Sequence, residues 1–162
     1  MTLASEGAKA PPFSAKDERG KTWKLADLKG RPVVLYFYPT DDTPGCTKEA
    51  CGFRDASKEL SHLGLVVLGV SRQDEASHSK FKSKYNLNFP LLVDTDGKVS
   101  EAYGTWTEKS MYGRTYMGMQ RATFLIDGAG RLAKVWPKVT PAGHAEEVLE
   151  AARALKESAR SV

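Results

Sequence analysis

A short apolar run, Pro32-Val33-Val34-Leu35-Tyr36-Phe37, leads into Thr43-Pro44, and this pairing constrains the fold more than any other feature of the chain. The run is apolar and mostly β-branched or aromatic, which is the signature of a strand buried on both faces. Thr43 followed by Pro44 is a helix start, with Thr at the cap and Pro in the first turn. A buried strand feeding a helix through a short loop is the unit from which α/β sheets are built. Cys46 falls in the first turn of that helix. The backbone N–H groups there have no intrahelical partner, and together with the helix dipole they favour an anion, here the thiolate.

The chain has only two cysteines, Cys46 and Cys51. A cysteine in a helix is commonly a small buried hydrophobe. Three features weigh against that reading: the position at a helix start, the second cysteine within reach, and a loop of Pro, Thr and Gly that holds backbone in fixed turns. A redox thiol pair fits better.

Other elements follow from periodicity and turn chemistry. Phe13 to Lys16 and Lys21 to Leu25 flank Asp17-Glu18-Arg19-Gly20 and read as a hairpin, with a helical turn over Ala26 to Leu28. A helix is expected over 44–62, a second buried strand over Leu65 to Val70, a helix from Glu75 to Tyr85 and a short strand from Leu91 to Val93. Asp94-Thr95-Asp96-Gly97 turns into a helix ending near Tyr103. Residues 105–120, rich in Met, Tyr and Gly, read as an irregular loop. Ala122 to Ile126 and Leu132 to Trp136 are strands joined by Asp127-Gly128-Ala129-Gly130. In the last helix, over 144–158, Ala145, Val148, Leu149, Ala152 and Leu155 form an apolar stripe. The pattern predicts an α/β sheet with helices on both faces. Residues 1–11 read as a flexible lead and 12–162 as a single domain, a size that supports a sizeable core.

Composition narrows the function classes. With 41% hydrophobic and 27% charged residues the chain is globular, not disordered. No apolar run is long enough to span a bilayer, and the start MTLASEGAKAPP lacks a secretory segment. Two cysteines do not make a secreted disulfide scaffold. A cytoplasmic protein with a transient, catalytic disulfide is expected, without a membrane partner. The net charge of +4 is dispersed, as in Lys16-Asp17-Glu18-Arg19, so nucleic acid is not an expected partner. His62, His78 and His144 have no zinc-like spacing to another ligand.

The pattern Pro-x-x-x-Thr-x-x-Cys, present as Pro39, Thr43 and Cys46, resembles the peroxiredoxin active-site signature. The string DDTPGCTKEACGFRD is similar to that of the bacterioferritin-comigratory-protein, or Q-type, subfamily. The resemblance continues in GVSRQDEASHSKF at 69–81, FPLLVDTDGKVSEAYG at 89–104 and RATFLID at 121–127. It implies a thioredoxin-like fold, with a central mixed sheet flanked by helices and an N-terminal β-hairpin.

The resemblance also implies a chemistry. Cys46 would be the peroxidatic nucleophile, attacking an O–O bond and becoming a sulfenic acid. Cys51 would be the resolving thiol, closing an intrachain disulfide that thioredoxin or a glutaredoxin-like protein reduces. Hydrogen peroxide and organic hydroperoxides are the implied substrates, and no cofactor is needed. From sequence alone Arg121 is a surface arginine at a strand edge; the resemblance makes it the cation beside the thiolate, its guanidinium donating in a fixed geometry. Thr43 is a helix cap on its own reading and a peroxide contact by resemblance. Pro39 ends a strand, and by resemblance shields the thiolate from water. The N–H groups of Gly45 and Cys46 are candidate donors to bound peroxide. Glu49 reads as an ordinary helix-surface carboxylate. A monomer or weak homodimer is expected. Two rival readings are a thioredoxin-like disulfide oxidoreductase, which would use Cys-x-x-Cys, and a copper-binding thioredoxin-like module, which would use Cys-x-x-x-Cys plus a histidine. Neither spacing occurs here.

Overall fold

The strand-to-helix unit sits at the centre of the molecule. In the computed structural model, which describes residues 3–160, an N-terminal hairpin of β1 (Ser14–Lys16) and β2 (Thr22–Lys24) comes first, followed by a 3-10 turn over Leu25–Leu28. The expected central strand is β3 (Val33–Phe37), and α1 (Pro44–His62) follows it. Next come β4 (Val66–Ser71), α2 (Glu75–Tyr85), β5 (Leu91–Val93) and α3 (Lys98–Tyr103). A second hairpin, β6 (Trp106–Met111) with β7 (Arg114–Met119), precedes β8 (Ala122–Ile126), β9 (Leu132–Trp136) and α4 (His144–Arg160).

The main sheet has the order β5-β4-β3-β8-β9. β3, β4 and β5 are parallel, whereas β8 runs antiparallel to β3 and β9 antiparallel to β8. Every residue of β3, β4 and β8 is buried, as a sheet covered on both faces requires. Alternation along β3 divides the core in two. Val34 and Tyr36 face a cluster with Phe53 of α1, Phe81 of α2 and Val148 of α4. Val33, Leu35 and Phe37 face Val99 and Tyr103 of α3, Leu28 of the 3-10 turn, and Ala10 and Phe13.

Two expectations need correction. Residues 105–120 are not an irregular loop but the β6–β7 hairpin. Its turn places Tyr112 and Gly113 at φ of 52° and 77°, the left-handed pair that a two-residue hairpin turn needs. The ribbon leaves Met111, Tyr112, Tyr116 and Met117 exposed, so no apolar–polar alternation marks its strands. The expected flexible lead is also tied down where it is described. The Gly7 N–H donates to the Leu132 carbonyl at 2.8 Å, the Leu132 N–H returns a bond to Ala8 at 2.9 Å, and the Ala4 N–H reaches Tyr103 at 3.0 Å. These are backbone bonds, so side-chain identity did not announce them. Residues 1 and 2 of that lead, and 161 and 162 at the other end, lie outside the described residues.

Candidate active site

The loop from β3 to α1 leaves the sheet at the carboxyl ends of two parallel strands, where open α/β sheets gather their ligands. It is held from several sides. The Tyr38 N–H donates to the Val70 carbonyl at 3.1 Å. The half-buried Pro39 offers its carbonyl to the Gln73 amide nitrogen at 3.1 Å. The Asp41 N–H donates to the Gln73 side-chain oxygen at 3.0 Å. The Asp41 carboxylate accepts the Tyr38 hydroxyl at 2.6 Å and the Ser77 hydroxyl at 2.7 Å, and lies 2.6 Å from Nδ1 of the buried His78. Asp42 accepts the Lys84 ammonium at 2.7 Å and the Tyr85 hydroxyl at 2.6 Å. The loop is thereby bolted to α2 before the helix begins. Asp41, Gln73 and His78 lie inside the strings that carry the resemblance, but no role was expected of them, because nothing in the sequence brings the two strings together.

Thr43 stands at the cap position with extended backbone, and Pro44 opens α1. The expected side-chain cap is absent: the Thr43 hydroxyl donates back to the Thr40 carbonyl at 2.9 Å. The reason is competition, since a Thr hydroxyl in a tight loop has a nearby carbonyl to satisfy. The consequence is that the first-turn N–H groups of Gly45 and Cys46 have no backbone or side-chain acceptor among the described residues. They remain available to an anion.

Cys46 is buried, with 1% of its surface exposed. β8 pairs with β3 so that Ala122 lies opposite Phe37, which brings Arg121 beside the loop. Its guanidinium divides between two partners. Nη2 lies 3.3 Å from the Cys46 sulfur, and Nη1 donates to Oε1 of Glu49 at 2.8 Å. Gly45 makes room for this: a Cβ there would sit 3.2 Å from Arg121 Nη2. Arg121 is therefore not a surface arginine.

Glu49 is the residue the sequence reading missed. Its carboxylate is fully buried, and Oε2 has no hydrogen-bond partner among the described residues. Burial pushes its pKa up to about 7 against the pull of Arg121. Burial also pulls on the Arg121 pKa from below, but Glu49 and Cys46 outweigh it and leave the guanidinium above its ordinary value. A signal for Glu49 did exist. Cys46, Glu49, Ala50 and Phe53 fall at i, i+3, i+4, i+7, which is one helix face, and all four are buried.

Cys51 lies on the same helix and is half-buried; both cysteines are free thiols. It lines a shallow groove of about 500 Å³ between α1 and the Pro141–Gly143 segment. The two thiols thus share one helix, one buried against a guanidinium and one facing a surface groove. The AhpC/TSA family model matches residues 7–135 of the chain.

The chain belongs to the AhpC/TSA family.

Its relatives locate it more finely. It is 53% identical to the putative peroxiredoxin bcp of Coxiella burnetii, over 88% of this chain and 95% of that one. It is 48% identical to peroxiredoxin Bcp of Bacillus subtilis, over 93% and 96%. Among solved structures, Xanthomonas campestris peroxiredoxin Q superposes with a TM-score of 0.87 at 37% identity, covering 96% of this chain and 98% of that one. A structure of the Xanthomonas campestris bacterioferritin comigratory protein, described for its alkyl peroxide reduction activity, gives 0.87 at 36% identity over the same shares. The AhpC/TSA chain described here is thus a Bcp, or Q-type, peroxiredoxin with a thioredoxin-like fold, and peroxiredoxins of this branch are thiol peroxidases.

Proposed function

We propose that Cys46 is the nucleophile of this peroxidase and Cys51 its resolving thiol, with hydrogen peroxide and organic hydroperoxides as substrates. The observation that carries this reading is the 3.3 Å contact of the Arg121 guanidinium with the buried Cys46 sulfur, at a helix start whose N–H groups are unclaimed. The Cys46 thiolate attacks one peroxide oxygen and the O–O bond breaks. The sulfur is oxidised to a sulfenic acid, and the other oxygen leaves as water or an alcohol after taking a proton. Arg121 and the N–H groups of Gly45 and Cys46 oppose the negative charge that develops on the oxygens. Thr43 contacts the peroxide by exchanging its bond to the Thr40 carbonyl for one to substrate, and the Pro39 ring excludes water. Cys51 then attacks the Cys46 sulfur, water departs, and an intrachain disulfide remains.

A dithiol protein, thioredoxin or a glutaredoxin-like one, accepts the disulfide and returns both thiols. Cys46 is buried and Cys51 faces a groove, so the incoming thiolate reaches the Cys51 sulfur more readily. This cycle suits a reducing cytoplasm and one thioredoxin-like domain over residues 12–162, working as a monomer or weak homodimer. The alkyl peroxide reduction described for the Xanthomonas campestris relative supports including organic hydroperoxides. Steady-state assays with a thioredoxin system test the assignment. Cys46→Ser should abolish turnover, because a serine hydroxyl is not ionised near neutral pH; retained turnover in that variant rejects it.

A further inference from the structure

We propose that Lys109, on the β6–β7 hairpin, is a second cation of this site and promotes ionisation of Cys46 without touching the substrate. The inference rests on Cys46 being the reacting thiol.

Lys109 stands opposite Tyr116 in the ribbon. Its side chain does not project into solvent. The stem lies across Gly118: a Cβ at that position would sit 3.0 Å from the Lys109 Cδ and 3.4 Å from its Cε. A residue larger than glycine there would lift the stem away. The ammonium donates to the carbonyl of Met119, two residues before Arg121. The side chain is thus folded back along β7 toward the start of β8, where the guanidinium meets the Cys46 sulfur. Among the described residues no ion pair involves Lys109. Its charge is half-buried and has no carboxylate to neutralise it.

The electrostatics agree with the geometry. Burial and then the Arg121 guanidinium hold the Lys109 pKa below its ordinary value, while Cys46 acts to raise it. The charged and titratable groups around Cys46 are then Arg121 in direct contact, Glu49 behind it, the Tyr36 and Tyr38 hydroxyls from β3 and its end, and Lys109 from the hairpin. Glu49 offsets part of the Arg121 charge. Lys109 has no such offset among the described residues. A positive charge held beside the start of β8 favours thiolate over thiol at Cys46.

The test is run in a Cys51→Ser background, so that Cys46 is the only thiol. The pH midpoint of its thiolate absorbance is measured, together with its rate of alkylation and its single-turnover oxidation by hydrogen peroxide. Lys109→Met keeps the stem over Gly118 and removes the charge. Its midpoint should rise by roughly 0.5–1, and oxidation below that midpoint should slow about three- to tenfold, converging with the parent at high pH. Lys109→Arg should behave as the parent, and added salt should narrow the gap between Met and parent. Lys109→Gln serves as the neutral variant if Lys109→Met does not fold. A neutral variant with the parent midpoint and rate overturns the proposal. So does equal impairment of the Met and Arg variants, which would mean that hairpin geometry matters and charge does not. Failure of the premise looks different: the parent itself would then show no rapidly oxidised thiolate.

Discussion

At the residue scale the decisive contact is one guanidinium shared between a sulfur and a buried carboxylate. If Arg121 served only the thiolate, its loss would leave stability nearly unchanged. Its bond to Glu49 changes that expectation. Arg121→Ala should move the appearance of the Cys46 thiolate to higher pH and slow its oxidation. It should also destabilise the fold by about 3 kcal/mol at pH 8, because a buried carboxylate is left without its partner. Thiolate absorbance and urea unfolding read the two effects separately. Arg121→Lys should remain impaired, since a point charge cannot reach sulfur and carboxylate together. Glu49 carries its own pH signature. Its folded pKa, about 7, lies above the ordinary 4.5, so the folded protein holds this proton more tightly than the unfolded chain. The resulting stabilisation is complete below about 4.5 and is lost as pH rises through 7. Glu49→Gln, which mimics the protonated acid, should remove this slope, gaining up to about 3 kcal/mol relative to wild type between pH 4.5 and 8. A wild-type slope persisting in Glu49→Gln would place the titration elsewhere.

At the element scale the interest is in α1, which runs without interruption from Pro44 to His62 and carries both cysteines. Helix geometry sets Cα atoms five residues apart at roughly 8–9 Å, with side chains about 140° apart around the axis. A disulfide needs Cα atoms within about 7 Å. The intact helix therefore cannot close the Cys46–Cys51 bond, and its first turns must unwind in each cycle. The loop ahead of it, bolted to α2 through Asp41 and Asp42, has no need to move. Hydrogen exchange of reduced and oxidised protein should lose protection over residues 44–56 on oxidation. Unchanged protection with the bond formed would contradict this account. Helix α4 contributes a second pH effect. His144 at its start is buried, with the rings of Phe53 and Trp136 nearly perpendicular to its own and Nε2 2.8 Å from the Thr123 hydroxyl. Burial lowers its pKa from 6.5, against the pull of Glu147. The unfolded chain takes this proton first, so stability falls as pH drops below about 6.5. The sign is opposite to that of Glu49, and urea midpoints of His144→Gln against wild type should show the acid-side loss disappear.

At the scale of the whole molecule, the parts legible in the sequence are those where burial is periodic. The β3 and β4 runs and the α4 stripe each put apolar residues at the spacing of their element, and each forms as read; the α1 start was legible from Thr43-Pro44, although the Thr43 side chain does not cap it. Cys46, Thr43 and Pro39 were legible through the signature they share with peroxiredoxins. The β6–β7 hairpin was not, because a ribbon exposed on most of its surface has no buried face to print a pattern. The docked N-terminal segment was invisible for another reason: backbone bonds supply much of what holds it, and they carry no side-chain signal. Glu49 was hidden by its type, since a carboxylate on a helix is usually solvated, although its spacing from Cys46 marked the buried face. These pieces converge on one claim, that Cys46 is oxidised first and Cys51 resolves it within the same chain. The direct measurement is peptide mapping by mass spectrometry after one equivalent of hydrogen peroxide, on wild type and on Cys51→Ser. Wild type should yield a Cys46–Cys51 disulfide within one chain, and Cys51→Ser a sulfenic acid on Cys46 trapped by a dimedone-type probe. Oxygen found first on Cys51, or a Cys51→Ser protein whose Cys46 stays reduced, would contradict the account.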